Sequence, residues 1–485
     1  MEKLRTVITT DGEVDDMNSV LRYLLYSNDI ETEGIVLTSS KYHYAGSKER
    51  NIKPFRWTGT DWYFEFIDSY EKVYPNLIKH DPSYPSPDFF RDNFHIGNIE
   101  NEGDMAEETE GSNYLAELFL DDNPKTLYVQ TWGGTNTTAR ALKSIEDKYS
   151  GTNEWQAIKK KIEDKLVIYI ILDQDLTYAE YIAENWDLKI INDKFNFWHF
   201  AYAWKMGHQH LTRALSSEWN RDLKENFGPL LEKYALIGDG NVIEGELEEE
   251  QRGIQLYLDN NPQYEPYDFI SEGDSPSFFY LLRNGLRTYE DPTYGGWGGR
   301  FVESKGQLYV NEALDWNPLT KKYESEYTLT RWFDDIQQDF KSRANWCVTD
   351  SFEEAAHYPE VQVVEGEDIL VEPGDVITLN ADANDPNGLP LKYNWWYYFE
   401  PSTYTKQYSL EADFIVIDGL EFSKKAEPTL DSFSHVRITG ANAASAQVYI
   451  PFDIESGETI HIILEVENEA QHAFKTYSRI ILTAK

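Results

Sequence analysis

One concentration of chemically useful side chains lies near the N-terminus. There Asp11-Gly-Glu-Val-Asp15-Asp16 places four carboxylates within six residues. Like charges so close repel one another unless something neutralises them. A hard divalent cation does this, and Ca2+ in particular accepts roughly six to eight oxygen ligands in flexible geometry. A water held by such a cation becomes more acidic, and a neighbouring carboxylate can take its proton. The same residues also suit a helix start, where Asp15 and Asp16 would serve capping and the macrodipole. Read alone, the loop supports both uses equally.

Five short apolar runs, separated by helical stretches, would have to position such a loop. They are Thr6-Val-Ile8, Gly34-Ile-Val-Leu37, Thr126-Leu-Tyr-Val129, Leu166 to Leu172, and Leu188-Lys-Ile-Ile191. The runs are continuously apolar rather than alternating, as in strands buried on both faces of a parallel sheet. Val20, Leu21, Leu24 and Leu25 share one face of a helix between the first two. The pattern predicts a doubly wound α/β domain with a mostly parallel sheet. Polar residues follow four of the runs: Thr9-Thr-Asp11, Thr38-Ser-Ser40, Gln130-Thr-Trp132 and Asp173-Gln-Asp175. Ligands of open α/β sheets bind beyond the carboxyl ends of the strands, so these groups would face one crevice.

Further segments offer polar or aromatic groups, each with an ordinary structural use beside the functional one. Trp132-Gly-Gly-Thr135-Asn136 permits an unusual backbone path and also reads as a common strand-to-helix turn. Ser271-Glu272-Gly-Asp274-Ser-Pro276 brings two carboxylates and is rich in turn formers. Tyr294-Gly-Gly-Trp297-Gly-Gly-Arg300 suits sugar, with a flat apolar face and a fork of donors; without context, a buried Trp and a structural Arg are the better reading. Trp132 is a second sugar-stacking candidate. Asp173 and Asp175 fit either the crevice or a helix cap, and Asn196 follows the fifth run. His199 fits a core histidine, and His208 and His210, two apart, do not share a helical face.

With 485 residues, 41% hydrophobic and 15% aromatic, the chain can fill more than one core, and disorder is excluded. Its net charge of −41 repels nucleic acid and anionic membranes. Cys347 is the only cysteine, so no internal disulfide forms, and no run of about 20 apolar residues spans a membrane. Met1 leads directly into Glu2-Lys-Leu-Arg5 without an apolar leader. From Val361 onward short strands alternate with turns such as Asp385-Pro-Asn-Gly388, which predicts an all-β sandwich. Trp395 and Trp396 lie on opposite faces of one such strand. The expected domains are 1–356 and 357–485.

These segments carry a resemblance. Nucleoside hydrolases open with a strand followed by Asp-x-Asp-Pro-Gly-x-Asp-Asp, and this chain reads Thr9-Thr10-Asp11-Gly12-Glu13-Val14-Asp15-Asp16. The resemblance implies that Asp11 is metal ligand and general base, that Asp16 chelates Ca2+, and that Asp15 binds sugar hydroxyls. It further implies Thr135, through its carbonyl, and Asp274 as the remaining metal ligands, with Glu272 near the leaving group. Thr9 and Gly12-Glu13 depart from the pattern. Glu272-Gly-Asp-Ser-Pro-Ser-Phe278, Asn284-Gly-Leu-Arg287 and the glycine-rich run at 294–300 resemble a bacterial family of cellulose-binding proteins with a nucleoside hydrolase-like domain. Tyr393-Asn-Trp-Trp-Tyr397 and Ile460-His-Ile-Ile-Leu-Glu-Val466 are similar to that family's immunoglobulin-like sandwich.

The resemblance implies a calcium-dependent glycoside hydrolase acting on a sugar from a plant or algal polysaccharide, a furanoside being one candidate. Asn136, Asp173, Asp175, Asn196, Trp132, Trp297 and Arg300 would bind that sugar. The alternatives are a non-catalytic, cellulose-binding protein on the same scaffold and true nucleoside hydrolysis. The expected location is the periplasm, the cell surface or the medium, with a leader outside this sequence. The oligomeric state stays open, a homodimer being one arrangement.

Overall fold

The computed structural model describes residues 3–404 and 436–485. Among them, the first part of the chain is built on one eight-stranded sheet. In chain order its strands are Leu4–Thr10 (β1), Ile30–Leu37 (β2), Phe94–Ile96 (β3), Leu127–Thr131 (β4), Leu166–Ile171 (β5), Lys189–Asp193 (β6), Val302–Glu303 (β7) and Leu308–Val310 (β8). Their order across the sheet is β3-β2-β1-β4-β5-β6-β8-β7, all parallel except the β7 edge. β5, Leu-Val-Ile-Tyr-Ile-Ile, is buried along its whole length, and β1 is buried beyond Leu4. Helices lie on both faces, and two separate apolar clusters form, one against each side of the sheet. This is a doubly wound α/β fold. The connections run outward in opposite directions from β1 and β4, so a crevice opens between their carboxyl ends.

The later part forms two four-stranded sheets. One runs Glu360–Val363, Val376–Asn384, Ser445–Tyr449, Arg437–Thr439, and the other Asp368–Val371, Lys475–Ala484, Thr459–Asn468, Leu391–Tyr398. Alternation settles the Trp395-Trp396 pair. Trp395 points into the core between these sheets. Trp396 packs against the α/β half, 6.1 Å from Trp332 and 5.1 Å below the Arg331 guanidinium.

The two halves share one of the large apolar clusters, to which Tyr398, Ile463, Phe474 and Tyr477 contribute from the β-rich side. At Asn284-Gly285 the α/β half pairs directly with the strand Lys475–Ala484: the Tyr477 and Arg479 amides donate to the Asn284 and Gly285 carbonyls at 2.9 and 3.0 Å. A side chain on Gly285 would collide with the Tyr477 carbonyl, and its φ of +97° is strained for any other residue.

This junction also corrects two expected sugar ligands. Trp297 is 2% exposed, and its indole N–H donates to Tyr477 Oη at 3.2 Å. Arg300 donates through Nε to Asp315 Oδ1 at 2.7 Å, and Asp315 Oδ2 receives the Tyr398 hydroxyl at 2.7 Å. The glycines of the 294–300 run allow close approach, but to the β-rich half: the Arg479 guanidinium reaches the Gly295 carbonyl at 2.7 Å.

Candidate active site

The loop after β1 turns through Gly12, whose φ of +76° favours glycine. It enters the helix Val14–Tyr26 (α1), which carries Asp15 and Asp16 in its first turn. The α1 N-terminus favours their negative charge. Asp16 Oδ1 accepts the Thr10 hydroxyl at 2.5 Å and the Asp11 amide at 3.1 Å, which folds the loop back on itself. Asp15 Oδ2 accepts the Ser271 hydroxyl at 3.3 Å. That bond brings in the 271–276 segment, separated by some 250 residues in sequence, and with it Asp274. One carboxylate oxygen from each of Asp15, Asp16 and Asp274 lies within 4.8 Å of the others. Asp11 stands beside them.

Asp11 is 1% and Asp274 2% exposed, and among the described residues Asp11 Oδ2 and Asp274 Oδ2 accept no hydrogen bond. Burial, reinforced by Asp11 and its neighbours, pushes the Asp16 carboxyl well above the ordinary range. Burial and then Asp15 and Asp11 do the same to Asp274, while burial and Glu13 lift Asp15 to about 8. Buried oxygens without donors and mutually repelling carboxylates are the environment a hard divalent cation relieves, so Asp11, Asp15, Asp16 and Asp274 fit one.

The glycine-rich turn after β4 closes one side. A Cβ on Gly133 would lie 2.8 Å from Asp11 Cβ, and one on Gly134 would strike Asp175 Oδ2. Asp175 anchors this turn by accepting the Asn136 amide at 3.0 Å and the Thr135 hydroxyl at 3.2 Å. The Thr135 carbonyl accepts the Ala139 N–H at 2.8 Å and so belongs to the first turn of the following helix. Asn136 spends its amide on Ser39 Oγ and on the Asn98 and Asp104 carbonyls. The side chains of Thr135, Asn136 and Asp175 are therefore committed to holding the turn.

Other expectations also move. Glu272 is fully buried and paired with Arg22, at 2.5 and 2.8 Å, and it also accepts the Tyr234 and Ser275 hydroxyls. Both its oxygens are taken up by these partners, and Glu272 is not among the residues that line the cleft described below. Asn196, 1% exposed, donates to Ser325 and Thr328. Asp173 caps its own loop by accepting the Ala179 amide at 3.2 Å. Trp132 lines the cleft, with its indole N–H tied to Ser277 Oγ at 2.8 Å.

The cleft has a volume of about 190 Å³, below the roughly 300 Å³ at which drug-sized pockets begin. That size fits a single small ring. Beyond the aspartates its walls are Trp132, Leu172 and Gln174 on one side and Glu13, Arg56, Trp198, Tyr202 and Arg252 on the other. Most of this second wall carried no motif. Glu13 was visible only as a departure from the nucleosidase pattern. The structure gives it partners: Tyr202 Oη at 2.9 Å, Arg56 at 3.4 Å and His43 Nδ1 at 3.5 Å. His43 Nε2 meets Glu246 at 3.1 Å, and Arg56 Nε meets the same carboxylate at 2.8 Å. Burial opposes charge on His43, but its bond to Glu246 and the charge of Glu13 outweigh that and raise its pKa.

Comparison with known proteins agrees with this architecture. The family model described as cellulose-binding Sde182, nucleoside hydrolase-like domain, matches residues 5–301, and that of the cellulose-binding protein Sde0182 C-terminal domain matches 376–484. A nucleoside hydrolase-related hypothetical protein from Saccharophagus degradans, associated with carbohydrate metabolism, superposes with a TM-score of 0.71 at 22% identity, covering 100% of both chains; it shares the fold. The effector protein XOO4466 covers 72% of this chain and 94% of its own at 10% identity, and its TM-score of 0.37 carries no weight. No curated protein matches the sequence. With more than half its length under the first of these models, the chain belongs to the cellulose-binding Sde182 family, which carries a nucleoside hydrolase-like domain.

Proposed function

We propose that this protein is a calcium-dependent glycoside hydrolase that cleaves a sugar derived from a plant or algal polysaccharide. The observation that carries the reading is the pair of buried, donorless oxygens, Asp11 Oδ2 and Asp274 Oδ2, beside Asp15 and Asp16. Asp11, Asp15, Asp16 and Asp274 would hold the cation. Bound there, Ca2+ supplies Lewis-acid polarisation and lowers the pKa of water in the cleft. Asp11 Oδ2, which accepts no hydrogen bond from the described residues, is the atom that would take the proton. Asp15, on the cleft wall, orients sugar hydroxyls, and Trp132 with Gln174 closes the opposite side to solvent. Asp11→Asn should abolish release of nitrophenol from whichever para-nitrophenyl glycoside the wild type cleaves, while circular dichroism stays unchanged. Full retained turnover would overturn the base assignment.

A second reading, carbohydrate binding without turnover, is favoured by one observation. Glu272, the acid expected near the leaving group, is locked onto Arg22. Under that reading oligosaccharides bind in the presence of calcium and are recovered intact. The names of the matching families point to cellulose as the first polymer to test.

We also propose a division into domains 1–356 and 357–485, the second immunoglobulin-like, and a periplasmic, cell-surface or secreted location. Among the described residues no helix is long and apolar enough to cross a membrane.

A further inference from the structure

We infer that the cleft accepts an uncharged sugar residue and rejects uronates and sulfated or phosphorylated sugars; the inference rests on the glycoside reading above. Recognition of an anionic sugar needs a cation whose charge is still available. Among the described residues lining the cleft, Arg56 and Arg252 are the cations, and each is already matched. Arg56 lies against Glu246 at 2.8 Å and Glu13 at 3.4 Å. Arg252 Nη2 lies 2.5 Å from Glu250 Oε2, and its guanidinium sits 4.3 Å over the Tyr202 ring. Behind this wall His43 spans the same two glutamates that hold Arg56.

The remaining lining is acidic. Glu13, Asp15, Asp16, Glu250 and Asp274 outnumber the two guanidiniums, and with Asp11 beside them the site stays negative when a divalent cation binds. In a cleft this narrow a second anion meets that excess at close range, well within a screening length. Like charges brought together at a binding surface cost several kcal/mol and are an established route to specificity. A neutral sugar meets no such penalty. Its hydroxyls can donate to the carboxylates and accept from guanidinium N–H groups, and Trp198 and Tyr202, 6.3 Å apart, add apolar surface to the lining. Glu250 is the residue that sets the sign on the Arg252 side. Its side chain is 32% exposed, so replacing it leaves the core untouched.

The test uses matched pairs of para-nitrophenyl glycosides in calcium: glucoside against glucuronide, and galactoside against galacturonide. Binding is followed by calorimetry and turnover by nitrophenolate release. The neutral member of the pair that fits should be favoured by about tenfold or more. Glu250→Gln, which unpairs Arg252 and removes one like charge, should narrow that gap by about tenfold. A uronide bound or cleaved as well as its neutral partner by the wild type overturns the inference and leaves the proposed function standing. If no glycoside of either kind binds while Tb3+ still loads the aspartate cluster, the proposed function itself fails and takes the inference with it.

Discussion

The cleft and the domain junction both bury carboxylates, and they treat them in opposite ways. At the junction, Asp315 is fully buried between Arg300 at 2.7 Å and Arg331 at 3.0 Å and accepts the Tyr398 hydroxyl. Burial alone would raise its carboxyl, but the two guanidiniums overcome that and lower it. In the cleft, Asp16 and Asp274 are buried to the same degree among further carboxylates, and both are pushed well above the ordinary range. A buried charge is tolerable when its partner is built into the chain, as Arg300 and Arg331 are. Where the partner is not built in, as at Asp11 and Asp274, it has to be supplied from outside. The same rule separates Glu272, closed onto Arg22, from Asp274 two residues later.

The comparison breaks most readily through paired substitutions measured in chelator. Arg300→Ala leaves Asp315 buried with half its compensation, and breaking a buried pair costs about 3–5 kcal/mol. Asp274→Asn removes one of several repelling charges, so the metal-free protein should be no less stable and should melt at the same or a higher temperature. Calorimetry of the two variants settles it: if both lose stability alike, the cleft is as internally balanced as the junction. Calcium supplies the next largest effect. A ligand at a hundred times its Kd stabilises the fold by about 2.7 kcal/mol. That increment should appear in the wild type and in Arg300→Ala, and should vanish in Asp274→Asn.

A smaller effect comes from pH. Burial and Glu13 raise Asp15 in the metal-free fold to about 8, against an ordinary value of 3.8. Between those values the fold holds a proton that the unfolded chain has lost, so metal-free stability falls as pH rises toward 8. With calcium bound, Asp15 stays ionised and this slope disappears. The gap between melting curves in calcium and in chelator should therefore widen by at least about 2 kcal/mol from pH 6 to 8, Asp16 and Asp274, raised like Asp15, adding in the same direction. His80, lowered to about 4, and Asp193 and Glu400, each raised to about 7, titrate in both conditions and cancel from the difference. A gap that narrows with rising pH would mean that the cation does not bind at the aspartate cluster.

What the sequence disclosed divides along the same line. The central strands were legible because burial on both faces leaves continuous apolar runs such as Leu166–Ile171. The acidic loop was legible because its four carboxylates follow a buried strand and match a known motif, not because of their density, which Glu244–Glu250 exceeds. The far wall of the cleft was not. His43, Arg56, Tyr202, Glu246 and Arg252 come from irregular segments with no period to read, and only long-range folding brings them to Glu13. Trp297 and Arg300 misled for a related reason. Glycines that allow close approach do so for another domain as readily as for a sugar, and their spacing does not say which.

Thr135 carries the finest distinction. The resemblance makes its carbonyl a metal ligand, whereas in the structure that carbonyl accepts Ala139 N–H and its hydroxyl turns to Asp175 and Thr177, at 3.2 and 2.6 Å. Thr135→Val keeps the backbone and the volume and removes only the hydroxyl. Asp175 still accepts from the Asn136 amide and from Thr177, so the loss should be about 1 kcal/mol. Because the hydroxyl serves the turn and not the aspartate cluster, Tb3+ affinity should be unchanged within error while the melting temperature falls slightly. A sharp fall in affinity with no change in melting would place the Thr135 hydroxyl inside the metal centre. The turn would then be part of the unbalanced region, and the boundary between built-in and supplied partners would run through Asp175 instead of stopping at Asp11.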